Sequence, residues 1–323
     1  MFGFILGMIV GCAQPMLTSI NSELRRRLRS PFLSSMGCFA VALSLSLITL
    51  LVLQHSLYIP IGNALKEPLW IWLGGVCGFT IVIFSILCLP HLGSVETIVF
   101  LVLGQIISGL VIDHFGLFGS TVIPVTLRKI VGAILVFAGV LGTVWTGDKR
   151  SDSGKTESSE ESIAGVPEKS GRGGKSFYRM LDLIAGIACS VQIAVNGRLG
   201  VVLGSTFRAT VISMLVAVSG ISLITLILYV VRGRSGVIDD SLPKIRGKWW
   251  MWTGGFCSMT IVGGNVILQS MMGTGLAAIL NILGQTAGGV VIDATGFLGI
   301  PVRKLTIPKF LGLLVMVLGT AMI

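Results

Sequence analysis

Charge is what this chain of 323 residues has least of: Asp, Glu, Lys and Arg together make 12% of it, about half the share usual in a soluble globular domain. That shortage, with a mean hydropathy of +0.92, excludes a water-soluble fold. Aromatics are sparse at 7%, and there are only 3 histidines and 6 cysteines. Cys12, Cys38, Cys77, Cys88, Cys189 and Cys257 fall in apolar stretches without C-x-x-C spacing, so neither a metal centre nor a redox pair is expected, and packing is their expected role. "GRGGKS" at 171–176 resembles the end of a phosphate-binding loop, but Lys169 stands where that loop needs glycine. With no zinc signature and no nucleophile constellation either, the sequence points away from an enzyme and calls for no cofactor.

Apolar residues, 53% of the chain, are what is there. Stretches long enough for a bilayer's hydrocarbon, about 18 residues or more, fall at 2–20, 32–54, 69–90, 95–113 and 128–146. A second set falls at 178–197, 207–231, 249–270, 275–293 and 307–323. The N-terminal stretch has no basic region and no clear cleavage site, so it is expected to remain as the first span. Between the sets, 147–176 is rich in Ser, Gly, Lys and Glu, the composition of a solvated linker.

The two sets are copies. "LGQIISGLVIDHFGLFG" from Leu103 and "LGQTAGGVVIDATGFLG" from Leu283 share nine of seventeen positions at an offset of 180, and "WIWLGGVCGFTIV" from Trp70 matches "WMWTGGFCSMTIV" from Trp250 at the same offset. "INSELRRRLRSPF" from Ile20 matches "VNGRLGVVLGSTF" from Val195 more loosely, at 175. Five spans is an odd number, so the second copy is expected to enter the membrane from the opposite side. A net charge of +10 would suggest nucleic acid in a soluble protein; here the bases sort by side instead. Connections after odd-numbered spans carry nineteen Lys or Arg, among them Arg25, Arg26, Arg27, Arg29, Arg232 and Arg234; the other side carries Lys66, Arg128, Lys129, Arg198 and Arg208. The expectation is an all-α membrane protein of ten transmembrane helices as two inverted five-helix repeats, 1–146 and 177–323. Both termini are expected outside the plasma (bacterial inner) membrane, with the linker cytoplasmic.

W-x-W-x-G-G, then G-Q-x-x-x-G and I-D-x-x-G, then a basic residue opening the next span, together with the Q-x-x-x-N of Gln192 and Asn196, resembles the five-helix YdcZ-type inner-membrane proteins. That family is similar to the drug/metabolite transporter superfamily. The resemblance covers nearly the whole chain except the linker. It implies a secondary active transporter that exports a small organic metabolite or drug-like molecule by alternating access. With both repeats in one chain, no oligomer is required; the small molecule and the lipid bilayer are the expected partners. A non-transporting scaffold or a passive pore is the competing expectation.

Gln105 and Gln285 lie near the middle of spans 4 and 9, where an unpartnered amide is costly, and with Asn281 they are the expected lining of a central cavity, meeting near the midplane. Interhelical bonding is the plainer alternative. Gln192, Asn196 and Asn21 are candidate cavity-mouth residues, and Trp70 and Trp250 either interface anchors or stacking platforms. Asp113 and Asp293 end spans 4 and 9, where the helix dipole disfavours an anion; ion pairs with Lys129 and Lys309 are the first expectation, proton coupling the second. Glu96, taken as the one acid inside an apolar span, is either a proton carrier or a first-turn acid capped by Ser94.

Overall fold

The computed structural model describes residues 2–148, 172–238, 247–295 and 307–322, and every regular element among them is helical. The side chains of Glu96, Asp293 and Lys309, and most of the linker, lie outside the described residues. In chain order the elements are α1 (Phe2–Leu28), α2 (Pro31–Gln54), the short α3 (Ile61–Ala64), α4 (Leu73–Phe115), α5 (Leu127–Asp148), α6 (Arg172–Val202), α7 (Thr206–Arg232), α8 (Gly254–Thr295) and α9 (Ile307–Ala321). Serines start the second helix of each half: Ser30 Oγ accepts from Leu33 N at 3.2 Å and Ser205 Oγ from Arg208 N at 3.4 Å, each satisfying one orphan amide of the first turn.

α4 and α8 fold back on themselves. Trp70 and Phe118, which flank the two ends of α4, have ring centroids 5.4 Å apart, whereas a straight helix of 43 residues would separate its ends by about 65 Å. The chain therefore reverses between Cys88, beside Tyr178 near the start of α6, and Leu101, beside Gly186. In α8 the Asn281 amide donates to Asn265 Oδ1 at 2.6 Å across 16 residues, which a straight helix would place about 24 Å apart. Gly273, at φ 82° and ψ 175°, makes that turn, a conformation that a residue with a Cβ adopts only under strain.

The halves meet reciprocally, at the offsets of the sequence repeat. A Cβ at Gly104 would run into the Leu183 carbonyl oxygen and lie 3.0 Å from Gly186 Cα, while one at Gly284 would lie 2.6 Å from the Met8 carbonyl oxygen and 2.9 Å from Gly11 Cα. α5 and α9 meet the same way, since a Cβ at Gly139 would lie 2.6 Å from Gly312 O and one at Gly319 2.7 Å from Gly132 O. The α5–α9 contacts, and the bond from Gln54 at the end of α2 to Ser205 at the start of α7, run antiparallel. Glycine is needed at these contacts because two backbones touch there.

Six described helices are long and apolar enough to cross a membrane: Phe2–Leu28, Pro31–Gln54, Thr97–Phe115, Lys175–Val202, Thr206–Arg232 and Trp249–Ile292. Leu69–Ser85 and Phe310–Ala321 are shorter apolar helices. This differs from the ten stretches expected for three reasons: the two arms of α8, broken at Gly273, count as one continuous stretch, the first arm of α4 and the described part of α9 are short, and side chains of α5 are described only to residue 142.

Candidate functional site

A buried polar seam runs along the folded α8 and into the end of α4. Asp113, on the second arm of α4, is 6% exposed, and its Oδ1 and Oδ2 accept from the backbone amides of Thr274 at 2.8 Å and Gly275 at 2.7 Å. These are the first amides after the Gly273 turn, so one carboxylate holds the otherwise orphaned N–H groups opening the second arm of α8. Thr274 Oγ1 lies 3.2 Å from Ser120 Oγ, which in turn accepts from Gln269 Nε2 at 3.5 Å. One turn from Gln269 begins the Asn265–Asn281 pair.

Asp113 thus departs from the expected clamp. The anion at the end of α4 is offset by the amide-rich start of an antiparallel arm, and Lys129 Nζ donates to Pro124 O at 3.3 Å. Lys129 and Asp113 still line one small cavity of about 100 Å³ with Leu110, Ile123, Met272, Gly275 and Leu276.

Gln105 and Gln285 occupy matching places but do not pair. The Gln105 backbone lies against α6, its main-chain carbonyl accepting from Ser190 Oγ at 2.8 Å, and the Gln285 backbone lies beside Gly11 of α1. Near them, Val102 and Ile106 of α4 share one buried apolar cluster with Ile279, Ile282 and Leu283 of α8. Neither side-chain amide makes a hydrogen bond among the described residues. Asn281, expected beside them, bonds across its own hairpin instead.

Gln192 and Asn196 pack on the first arm of α4. Gln192 Nε2 donates to Gly74 O at 3.1 Å, and Asn196, 1% exposed, fills the space a Gly74 side chain would need, leaving its Oδ1 unpartnered. Gly74 and Gly78 therefore make room for two amides. Asn21 and Asn196 do not close their helices, which run on to Leu28 and Val202. Trp70 packs with Phe118, Leu199 and Leu203, and Trp250 with Ala13, Ile20 and Cys257, so both plug helix ends; the neighbouring Trp249 and Trp252 are exposed.

Two features escape the sequence reading. Asp182 sits inside α6, 0% exposed, so Glu96 is not alone as an acid in an apolar span; the signal was the acid in "RMLDLIAG". Gln269 and Asn265 interrupt "GGNVILQSMM", but only the fold brings Ser120 to them.

A larger cavity of about 170 Å³ opens between the halves, lined by Leu6 of α1, Ser46 of α2, Thr206, Phe207 and Thr210 of α7, and Met259, Thr260, Gly263, Gly264 and Ile267 of α8. Ser46, Thr210 and Thr260 spend their hydroxyl protons on Ala42 O, Thr206 O and Phe256 O of their own helices. No charged side chain lines it.

The model of the DMT_YdcZ family, described as "Putative inner membrane exporter, YdcZ", matches residues 2–142 and again 177–322. The chain belongs to this family. Membership of DMT_YdcZ places it among multi-pass inner-membrane exporters, a class of transporters. A solved structure titled "Crystal structure of protein" is similar in fold at 14% identity and a TM-score of 0.59, over 99% of this chain and 94% of that one. No curated protein matches the chain.

Proposed function

We propose that the protein is a secondary active exporter working by alternating access, with ten spans as two inverted five-helix repeats, 1–146 and 177–323, joined by the linker at 147–176. The observation that carries this reading is the antiparallel meeting of equivalent helices, α2 with α7 and α5 with α9, around a cavity drawn from both halves. Two copies related in this way can exchange conformations, so that what opens on one side closes on the other.

The sides follow from charge. Arg25, Arg26, Arg27, Arg29, Arg232, Arg234 and Lys248 gather at the end of the bundle where α1 and α7 finish and α6 begins, and the excess of bases makes that end cytoplasmic. The termini then lie outside, and the 170 Å³ cavity, beside the starts of α1 and α7, belongs to the outer half.

The lining supports one substrate class. A cavity of this size lined by apolar groups accommodates a benzene-sized body, and the hydroxyl oxygens keep lone pairs free to accept one or two donors. A neutral molecule with a benzene-sized aromatic ring to seat in the cavity fits; a bare ion has nothing there to balance its charge. Single cysteines at Ser46 and Thr260, in a chain whose six cysteines are replaced by serine or alanine, test the scheme with a membrane-impermeant maleimide. Labelling from the outer side that falls when chloramphenicol, a neutral aromatic probe, is added agrees with it. Labelling that never changes, or none from either side, fits a scaffold instead.

A further inference from the structure

Asp182 is a carboxyl group that the packing does not account for. It is 0% exposed, and neither Oδ1 nor Oδ2 has a hydrogen-bond partner among the described residues. Asp113, equally inside the protein, holds two backbone amides; Asp182 holds none. In the first copy, at the offset of 175, the same place is Gly7, packed on Leu280. The backbone arrangement therefore has no need of an acid here.

The position is a moving part on the exporter reading. Asp182 precedes Leu183, whose carbonyl meets Gly104 where α6 and the second arm of α4 touch backbone to backbone. Cys88 on α4 and Cys189 on α6 lie within reach of its charge. Arg179, one turn earlier on α6, lies over the Phe100 ring of α4 at 5.8 Å, and the Tyr178 carbonyl accepts from Cys88. The side chains of His91 and Glu96 lie outside the described residues.

An unpaired carboxylate sealed from water is far costlier than a neutral carboxyl in the same place, and acids inside membrane spans are carried where protons are moved. Resting on the exporter reading above, we propose that Asp182 is the proton-coupling group: it holds a proton while α6 and α4 are packed and exchanges it with water when they part. The carboxyl O–H bond breaks as the proton passes to water on the inner side, and it forms again with a proton from the outer side. One proton moves inward for each substrate turn outward.

Two measurements on the full-length protein decide it. In proteoliposomes with an imposed pH gradient, the wild type accumulates radiolabelled chloramphenicol against its own gradient, Asp182→Asn only equilibrates it, and Asp182→Glu restores part of the drive. Gradient-driven accumulation by Asp182→Asn overturns the proposal. In isotope-edited infrared spectra at neutral pH, a protonated carboxyl band is expected that Asp182→Asn removes and Asp113→Asn leaves; absence of that band also overturns it. If even the wild type moves no more probe than empty vesicles, the exporter reading loses its support from this probe, while the infrared band still decides whether Asp182 holds a proton.

Discussion

The contact between α6 and the second arm of α4 and the contact between α1 and the second arm of α8 are the same contact made twice, with different chemistry laid over it. Gly104 against Gly186 and Gly284 against Gly11 repeat almost atom for atom. Beside the first lies the carboxyl of Asp182, without a hydrogen-bond partner among the described residues, and beside the second, at the matching place, Gly7. The folded α8 carries Asn265, Gln269 and Asn281 in its seam; at the offset of 180 the corresponding positions of α4 are Ser85, Leu89 and Leu101. The two copies share their backbone because backbone packing is what two touching helices demand. Polar groups need be present only once to serve both.

The sharpest way to break this comparison is to fill the glycine contacts. Gly186→Val and Gly11→Val each put side-chain atoms into backbone, and each is expected to cost several kcal/mol, at or above the roughly 1–3 kcal/mol of ordinary overpacking, read as a fall in melting temperature in detergent. Similar losses keep the contacts equivalent; a loss at one only would show that they are not. Next in size, Asp113→Ala leaves two buried amides without an acceptor and is expected to cost about 2–4 kcal/mol by denaturant titration. Asp113→Asn, keeping one acceptor oxygen, is expected to cost less.

Smaller effects sharpen the asymmetry. A double-mutant cycle with Asn265→Leu and Asn281→Leu is expected to give a coupling of about 0.6–1.7 kcal/mol, the range for side-chain hydrogen bonds between membrane helices; a coupling near zero would remove the pair from the seam. Smallest is Glu67→Gln. The Arg198–Glu67 pair, at 2.7 Å with both side chains partly exposed, is expected to contribute about 0–1 kcal/mol and to fade as salt is raised.

Much of this architecture was legible beforehand, because apolar run length and repeat spacing are local properties that a bilayer and a duplication impose directly. The offsets of 175 and 180 reappear as matched contacts at Met8 and Leu183, Gly11 and Gly186, Gly139 and Gly319. The roles of individual polar residues were less legible. Gln105 and Gln285, conspicuous as amides in mid-span, have their backbones against different helices, α6 and α1, and Asp113, which looked like half of an ion pair, is a helix cap. Asp182 was visible as an acid in an apolar run, but not as one left without a partner among the described residues.

Composition and spacing by themselves determined that the chain is helical, lives in a membrane and is written twice, since those follow from how many apolar residues stand in a row and how often the pattern returns. Tertiary structure alone decided which acid is satisfied and which is not. A hydrogen-bond partner can come from a helix about 160 residues away, as Thr274 and Gly275 come to Asp113, and no pattern within one segment records whether it arrives.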